Sequence, residues 1–141
     1  MSQLSAISRE RLLTCEDRLQ SLIWRVSELT SIQVICGHRG REEQERALLE
    51  GTSTLPWAKS CHNHWPARAV DLAPLVGGQI PWDDQEVWWW FAGLVLGEGL
   101  RQGTPLIWGG NWSHWDRAKG WVRKPGTEGS TLFDGPHFEL L

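Results

Sequence analysis

Tyrosine is absent from the 141-residue chain, methionine occurs once, and cysteine occurs three times. Cys15, Cys36 and Cys61 form an odd set without a Cys-x-x-Cys spacing, which excludes a disulfide framework or a cysteine-based zinc ribbon. All three are expected to be reduced. A large excess of charge of one sign is also lacking. Fourteen Lys and Arg against 17 Asp and Glu leave a net charge of -3, so no basic face is expected to grip nucleic acid. Long hydrophobic runs are missing: the longest, Val87 to Leu96, is ten residues even with Gly93 included, short of the ~20 that cross a bilayer. No stable membrane association is expected. The N-terminus passes from Met1-Ser2-Gln3-Leu4-Ser5 straight into Arg9, Glu10 and Arg11, without the apolar core of a signal peptide, so synthesis in a cytoplasm is expected.

What the chain does have is tryptophan, 11 residues beside three Phe. With 40% hydrophobic and 22% charged residues, the composition is that of a globular protein. The length suits one domain over residues 1–141 that buries a core without disulfide staples. Leu12, Leu13, Leu19, Leu22, Ile23, Val26 and Leu29 recur at three- and four-residue steps, predicting amphipathic helix over about 8–29 with a break at 14–17. The β-branched run at 31–36, closed by Gly37, predicts a strand and turn. Residues 41–50, followed by Gly51, read as a helix stopped by a C-terminal glycine. Short strands are predicted at 69–73, 106–108 and 137–140. A helix over about 85–102 carries Trp88, Trp89, Trp90 and Phe91 in succession, which predicts burial on most sides. Helices mixed with short, scattered strands indicate an α+β domain, helices packed on a small antiparallel sheet.

Metal-binding side chains gather at two places: His62-Asn63-His64 with Asp71 beyond it, and Asp134-Gly135-Pro136-His137 near the C-terminus. A catalytic zinc takes three imidazole or carboxylate ligands and keeps one position open. His64, Asp71 and His137 would supply such a set, and Asp134 is placed to take a proton from a water. Cys61 lies close enough to the histidines to be a ligand or nucleophile.

Cys36-Gly37-His38-Arg39, His64 with Ala69-Val70-Asp71-Leu72, Trp108-Gly109-Gly110-Asn111-Trp112 and Asp134-Gly135-Pro136-His137-Phe138-Glu139-Leu140 resemble, in order, the motifs of the VanY-like zinc peptidases. Within that family the chain is most similar to the phage endolysins that act as L-alanyl-D-glutamate endopeptidases. The resemblance implies a Hedgehog/D,D-peptidase-like fold, one Zn2+ per chain on His64, Asp71 and His137, Asp134 as general base and Arg39 contacting a substrate carbonyl or carboxylate. It implies hydrolysis of a stem-peptide bond of peptidoglycan by a metal-activated water. With the signal peptide missing, passage from the host cytoplasm to the cell wall after holin action is expected, and the protein is expected to be a monomer.

The pattern has departures. His62 stands where the family has Ser two residues before the first ligand, so His62 competes with His64 for the metal. Ala67 replaces a common Gly, and Asn111 a common Asp. Glu139 is placed to orient His137. A D,D- or L,D-carboxypeptidase or dipeptidase keeps the same zinc site, and a wall-binding module would use the tryptophans alone. Trp24 and Trp88 to Trp90 are expected in the core. Trp65, Trp108, Trp112 and Trp115 are expected to wall the site.

Overall fold

Ser5 caps the first helix, accepting a hydrogen bond at 3.2 Å from the Ser8 N–H, one of the donors a helix start leaves unpaired. The structure, a computed structural model, describes residues 4–111 and 134–141; the expectations for Trp112 and Trp115 lie outside them. The first helix, α1 (Ala6–Leu12), gives way to α2 (Asp17–Leu29), with the predicted break between them. The break has a structural use. Its backbone pairs with the segment leading to the central strand, Ala67 N–H donating to Thr14 O and Glu16 N–H to Ala67 O, both at 2.9 Å.

Strand β1 (Ile32–Cys36) and helix α3 (Arg41–Leu49) follow, then β2 (Ala69–Pro74), helix α4 (Gln85–Arg101), β3 (Leu106–Trp108) and β4 (His137–Leu140). The strands form one antiparallel sheet in the order β1-β2-β4-β3. Side chains alternate across a strand, and this alternation separates the sheet's two tasks. Val70, Leu72, Phe138 and Leu140 join the apolar face of the helices in the core, while Asp71, His137 and Glu139 fall on the opposite face. Phe138 and Phe91 of α4 meet edge to face at 6.1 Å, each fully buried; such burial is worth about 1.5–3 kcal/mol per side chain.

Helix α4 departs from the expectation of burial on most sides. Its buried positions are Trp88, Phe91, Ala92, Val95, Glu98 and Gly99, a single stripe at helical spacing, and Trp90 is 56% exposed. Consecutive aromatics point in directions about 100° apart on a helix, so one sheet face cannot take all of them. No helix among the described residues is long and apolar enough to cross a membrane.

Candidate metal centre

Asp71 lies on β2 between two partner strands, opposite Cys36 of β1 and opposite His137 of β4. Directly paired residues share a sheet face, so register alone brings the three side chains together. A shift in the β1–β2 register between Val34 and Cys36 is what sets Cys36, rather than Ile35, opposite Asp71. His137 Nδ1 is 3.5 Å from Asp71 Oδ1, and its other nitrogen, Nε2, is 3.0 Å from Glu139 Oε1. Glu139 Oε2 accepts from the Cys61 thiol at 2.8 Å.

The second imidazole belongs to His62. Residues 61–63 form a single 3-10 turn capped by Ser60, whose Oγ accepts from His62 N–H while Asn63 Oδ1 accepts from Ser60 N–H, both at 3.2 Å. The turn drives His62 inward until it is 2% exposed. Its Nδ1 donates to Gly37 O at 2.8 Å. Its Nε2 lies 3.3 Å from Asp71 Oδ1 and 3.3 Å from His137 Nδ1. Gly37 makes this approach possible: a Cβ there would collide with Thr14 Oγ1 and the Arg11 carbonyl.

His64 is exposed and stands outside this cluster, so the geometry departs from the sequence expectation at that residue and brings His62 to Asp71 and His137 instead. The signal for His62 was present in the chain. Ser60 also stands two residues before His62, the placement the family has before its first ligand, but His62 is nine residues from Asp71 where His64 is seven.

Burial works against charge at all three side chains, and mutual attraction overcomes it. Desolvation would raise the Asp71 carboxyl, but His62 and His137 hold it well below the usual carboxylate range. Desolvation would lower His62, but the Asp71 carboxylate carries it up to about 10. His137 is also raised against its burial, through Asp71 and Glu139. One atom stays unmatched: Asp71 Oδ1 is buried and has no hydrogen-bond partner among the described residues.

Arg39 and Asp134 join Asp71, His62 and His137 in lining a cavity of about 370 Å³. Arg39 Nη2 is 3.8 Å from Asp71 Oδ2. Asp134 sits at the start of the turn into β4, its N–H donating to Gly109 O at 3.3 Å. A Cβ on Gly109 would strike the Asp134 carbonyl, which explains a glycine at that point of the Trp-Gly-Gly motif. Burial first, and the Asp71 carboxylate second, push the Asp134 carboxyl above its ordinary value.

Gln44 escaped the sequence reading because α3 is otherwise a polar, exposed helix. It is fully buried and uses its whole hydrogen-bonding capacity. Its Oε1 accepts from Arg39 Nη1 and Asn63 Nδ2, both at 3.0 Å, and its Nε2 donates to Ser53 Oγ at 2.9 Å and Leu55 O at 2.7 Å. One side chain thus ties Arg39, the His62 turn and the 53–55 wall of the cavity together.

Two of the tryptophans expected to wall the site do not. Trp65 is 71% exposed and meets His38 edge-on at 5.0 Å. Trp108 is buried in the core, where its Nε1 donates to Gly135 O at 2.7 Å and so holds the turn between Asp134 and His137. Trp82, a residue the sequence reading passed over, lines the cavity instead.

Comparison with known proteins gives the family. The chain is 29% identical over 136 residues to the L-alanyl-D-glutamate peptidase of Escherichia phage T5, covering 95% of this chain and 94% of that protein. The crystal structure of the Serratia marcescens L-Ala D-Glu endopeptidase ChiX superposes with a TM-score of 0.72 at 25% identity, covering 96% of this chain and 87% of that one. The family described as phage L-alanyl-D-glutamate peptidase spans residues 1–141, and the chain belongs to it.

Proposed function

We propose that this chain is a zinc-dependent peptidoglycan endopeptidase that cuts the L-alanyl-D-glutamate bond of stem peptides, with the metal held by His62, Asp71 and His137. The observation that carries the reading is the triangle of His62 Nε2, His137 Nδ1 and Asp71 Oδ1, with sides of 3.3, 3.3 and 3.5 Å. Zinc bonds of about 2.0–2.1 Å in a tetrahedron require ligand-to-ligand edges of about 3.3–3.4 Å. The far side of each ring agrees. A carbonyl only accepts, so His62 Nδ1 carries the hydrogen toward Gly37 O, and His137 Nε2 donates to Glu139. In the neutral rings the two facing nitrogens therefore carry no hydrogen, and each stands within 3.5 Å of Asp71 Oδ1, a buried oxygen with no hydrogen-bond partner among the described residues. Three acceptor atoms within 3.5 Å of one another call for a cation or a proton between them, and an imidazole with an acceptor behind it is the usual setting for zinc.

When bound, zinc supplies Lewis acidity toward the scissile carbonyl and a water. The remaining work falls to the chain's own side chains. Asp134 takes the proton of the attacking water on its carboxylate and returns it to the leaving amine; its raised pKa is the direction a base working near neutrality requires. Arg39, fixed by Gln44, offers a planar and permanently charged guanidinium to the substrate's carboxylate or to the developing oxyanion.

Mass spectrometry of purified peptidoglycan after digestion tests the reading. New N-terminal D-glutamate that disappears with a chelator and returns with zinc is expected. Release of D-alanine would indicate a carboxypeptidase instead. A protein that binds no zinc and cleaves nothing would refute the proposal.

A further inference from the structure

Trp82 is 60% exposed, yet its ring is held in place. It stacks on Trp88 at 5.6 Å and 26°, and Trp88 is itself buried, its Nε1 donating to Pro81 O at 2.9 Å. Asp84 caps α4 just beyond, accepting from Val87 N–H at 3.3 Å. The ring is thus a fixed, open platform, and it stands at a junction. Trp82 lines the cavity that holds Arg39, His62 and Asp71, and it also lines a second, open depression with Asp83 and Glu86. Exposing a large aromatic costs hydrophobic free energy that burial elsewhere would recover, so a rigid exposed tryptophan at the mouth of a site marks a contact surface.

We propose that Trp82 forms a sugar subsite, stacking on the N-acetylated, lactyl-bearing amino sugar to which the stem peptide is attached, with Asp83 and Glu86 accepting from its hydroxyl and amide groups. The proposal rests on the endopeptidase reading above. In peptidoglycan the L-alanine amine is joined directly to the sugar's lactyl carboxyl. An extended residue spans at most about 3.6 Å, and only L-alanine and the lactyl group separate the sugar from the scissile bond, which puts the sugar about 7 Å from that bond, within reach of the wall of this cavity. The charges order the substrate along the groove. The peptide beyond the scissile bond carries free carboxylates and suits Arg39. The sugar and its amide link are uncharged and suit the acidic end at Asp83 and Glu86, where the anionic peptide would be repelled. A ring with hydroxyls at its edge and an apolar face needs what this platform offers, an aromatic plane with acceptors beside it.

The test compares N-acetylmuramoyl-L-alanyl-D-glutamyl-diaminopimelate with N-acetyl-L-alanyl-D-glutamyl-diaminopimelate, both uncharged at the alanine nitrogen. The wild-type protein should cut the sugar-bearing compound with about tenfold higher kcat/KM. That ratio should fall toward one in Trp82→Ala and survive in Trp82→Phe, which keeps an aromatic face. No preference in the wild type, or the same preference in Trp82→Ala, overturns the sugar subsite. If neither compound is cut, the endopeptidase reading fails. Calorimetric titration of both compounds then decides the subsite separately: tighter binding of the sugar-bearing one, lost in Trp82→Ala, supports it, and equal binding overturns it.

Discussion

His137 and Glu139, two residues apart on β4 and therefore on one face of the sheet, meet at 3.0 Å between Nε2 and Oε1. The contact fixes which nitrogen of His137 faces Asp71. Glu139→Gln can still accept at one atom but loses the charge and one of the two acceptor oxygens that serve His137 and Cys61. Zinc affinity in this variant should fall about 10- to 100-fold, measured by competition with a chromophoric chelator, with the folded far-UV spectrum retained. Unchanged affinity would show that Glu139 does not orient the ring.

Asp134 is assigned to proton transfer and not to metal retention. Asp134→Asn should therefore keep one zinc per chain and lose about 100-fold or more in kcat. Elemental analysis and peptide hydrolysis on the same preparation check both halves, and zinc loss that parallels the loss of rate would move Asp134 into the ligand set.

Gln44 carries a prediction that couples stability to substrate binding. Gln44→Leu leaves Arg39, Asn63, Ser53 and the Leu55 carbonyl without the partners they now have. A destabilisation of about 2–3 kcal/mol in chemical denaturation is expected. Because the guanidinium of Arg39 is released as well, KM should rise more than kcat falls. A fall in kcat alone would remove the link to Arg39.

Proton competition follows from the charge arrangement. Without metal, His62 holds its proton up to about pH 10, so at neutral pH zinc must expel at least one proton. Apparent zinc affinity should rise about tenfold per pH unit for each proton displaced, and keep rising well past the ordinary histidine value near 6.5. The sign for the metal-free protein runs the opposite way. A raised histidine pKa contributes stability that is full below about pH 6.5 and is lost as the pH climbs toward about 10. Denaturation of the metal-free protein across that range should show stability declining.

Much of the fold was legible because it rests on local period and punctuation. The helical spacing in 17–29, the β-branched run at 32–36, Gly51 after α3 and the alternation at 137–140 all reappear as elements. Asp71, His137 and Asp134 stood out by residue type and Arg39 by the family resemblance, and one cavity gathers all four. What the sequence hid was longer in range. That His62 rather than His64 lies beside Asp71 and His137 follows from the turn capped by Ser60, a three-dimensional path that counting cannot see. Gln44 was invisible because its four partners come from three separate segments. The tryptophans misled because a run of aromatics carries no sign of which ring faces the sheet; of Trp88 to Trp90 only Trp88 is buried.

The assignment of the metal to His62 is where the account is most exposed, and one comparison tests it. His62→Ala and His64→Ala proteins, each supplied with zinc, are applied to purified peptidoglycan, and fragments with new N-terminal D-glutamate are counted by mass spectrometry. The account predicts wild-type levels from His64→Ala and none from His62→Ala. Active His62→Ala beside inactive His64→Ala would contradict it.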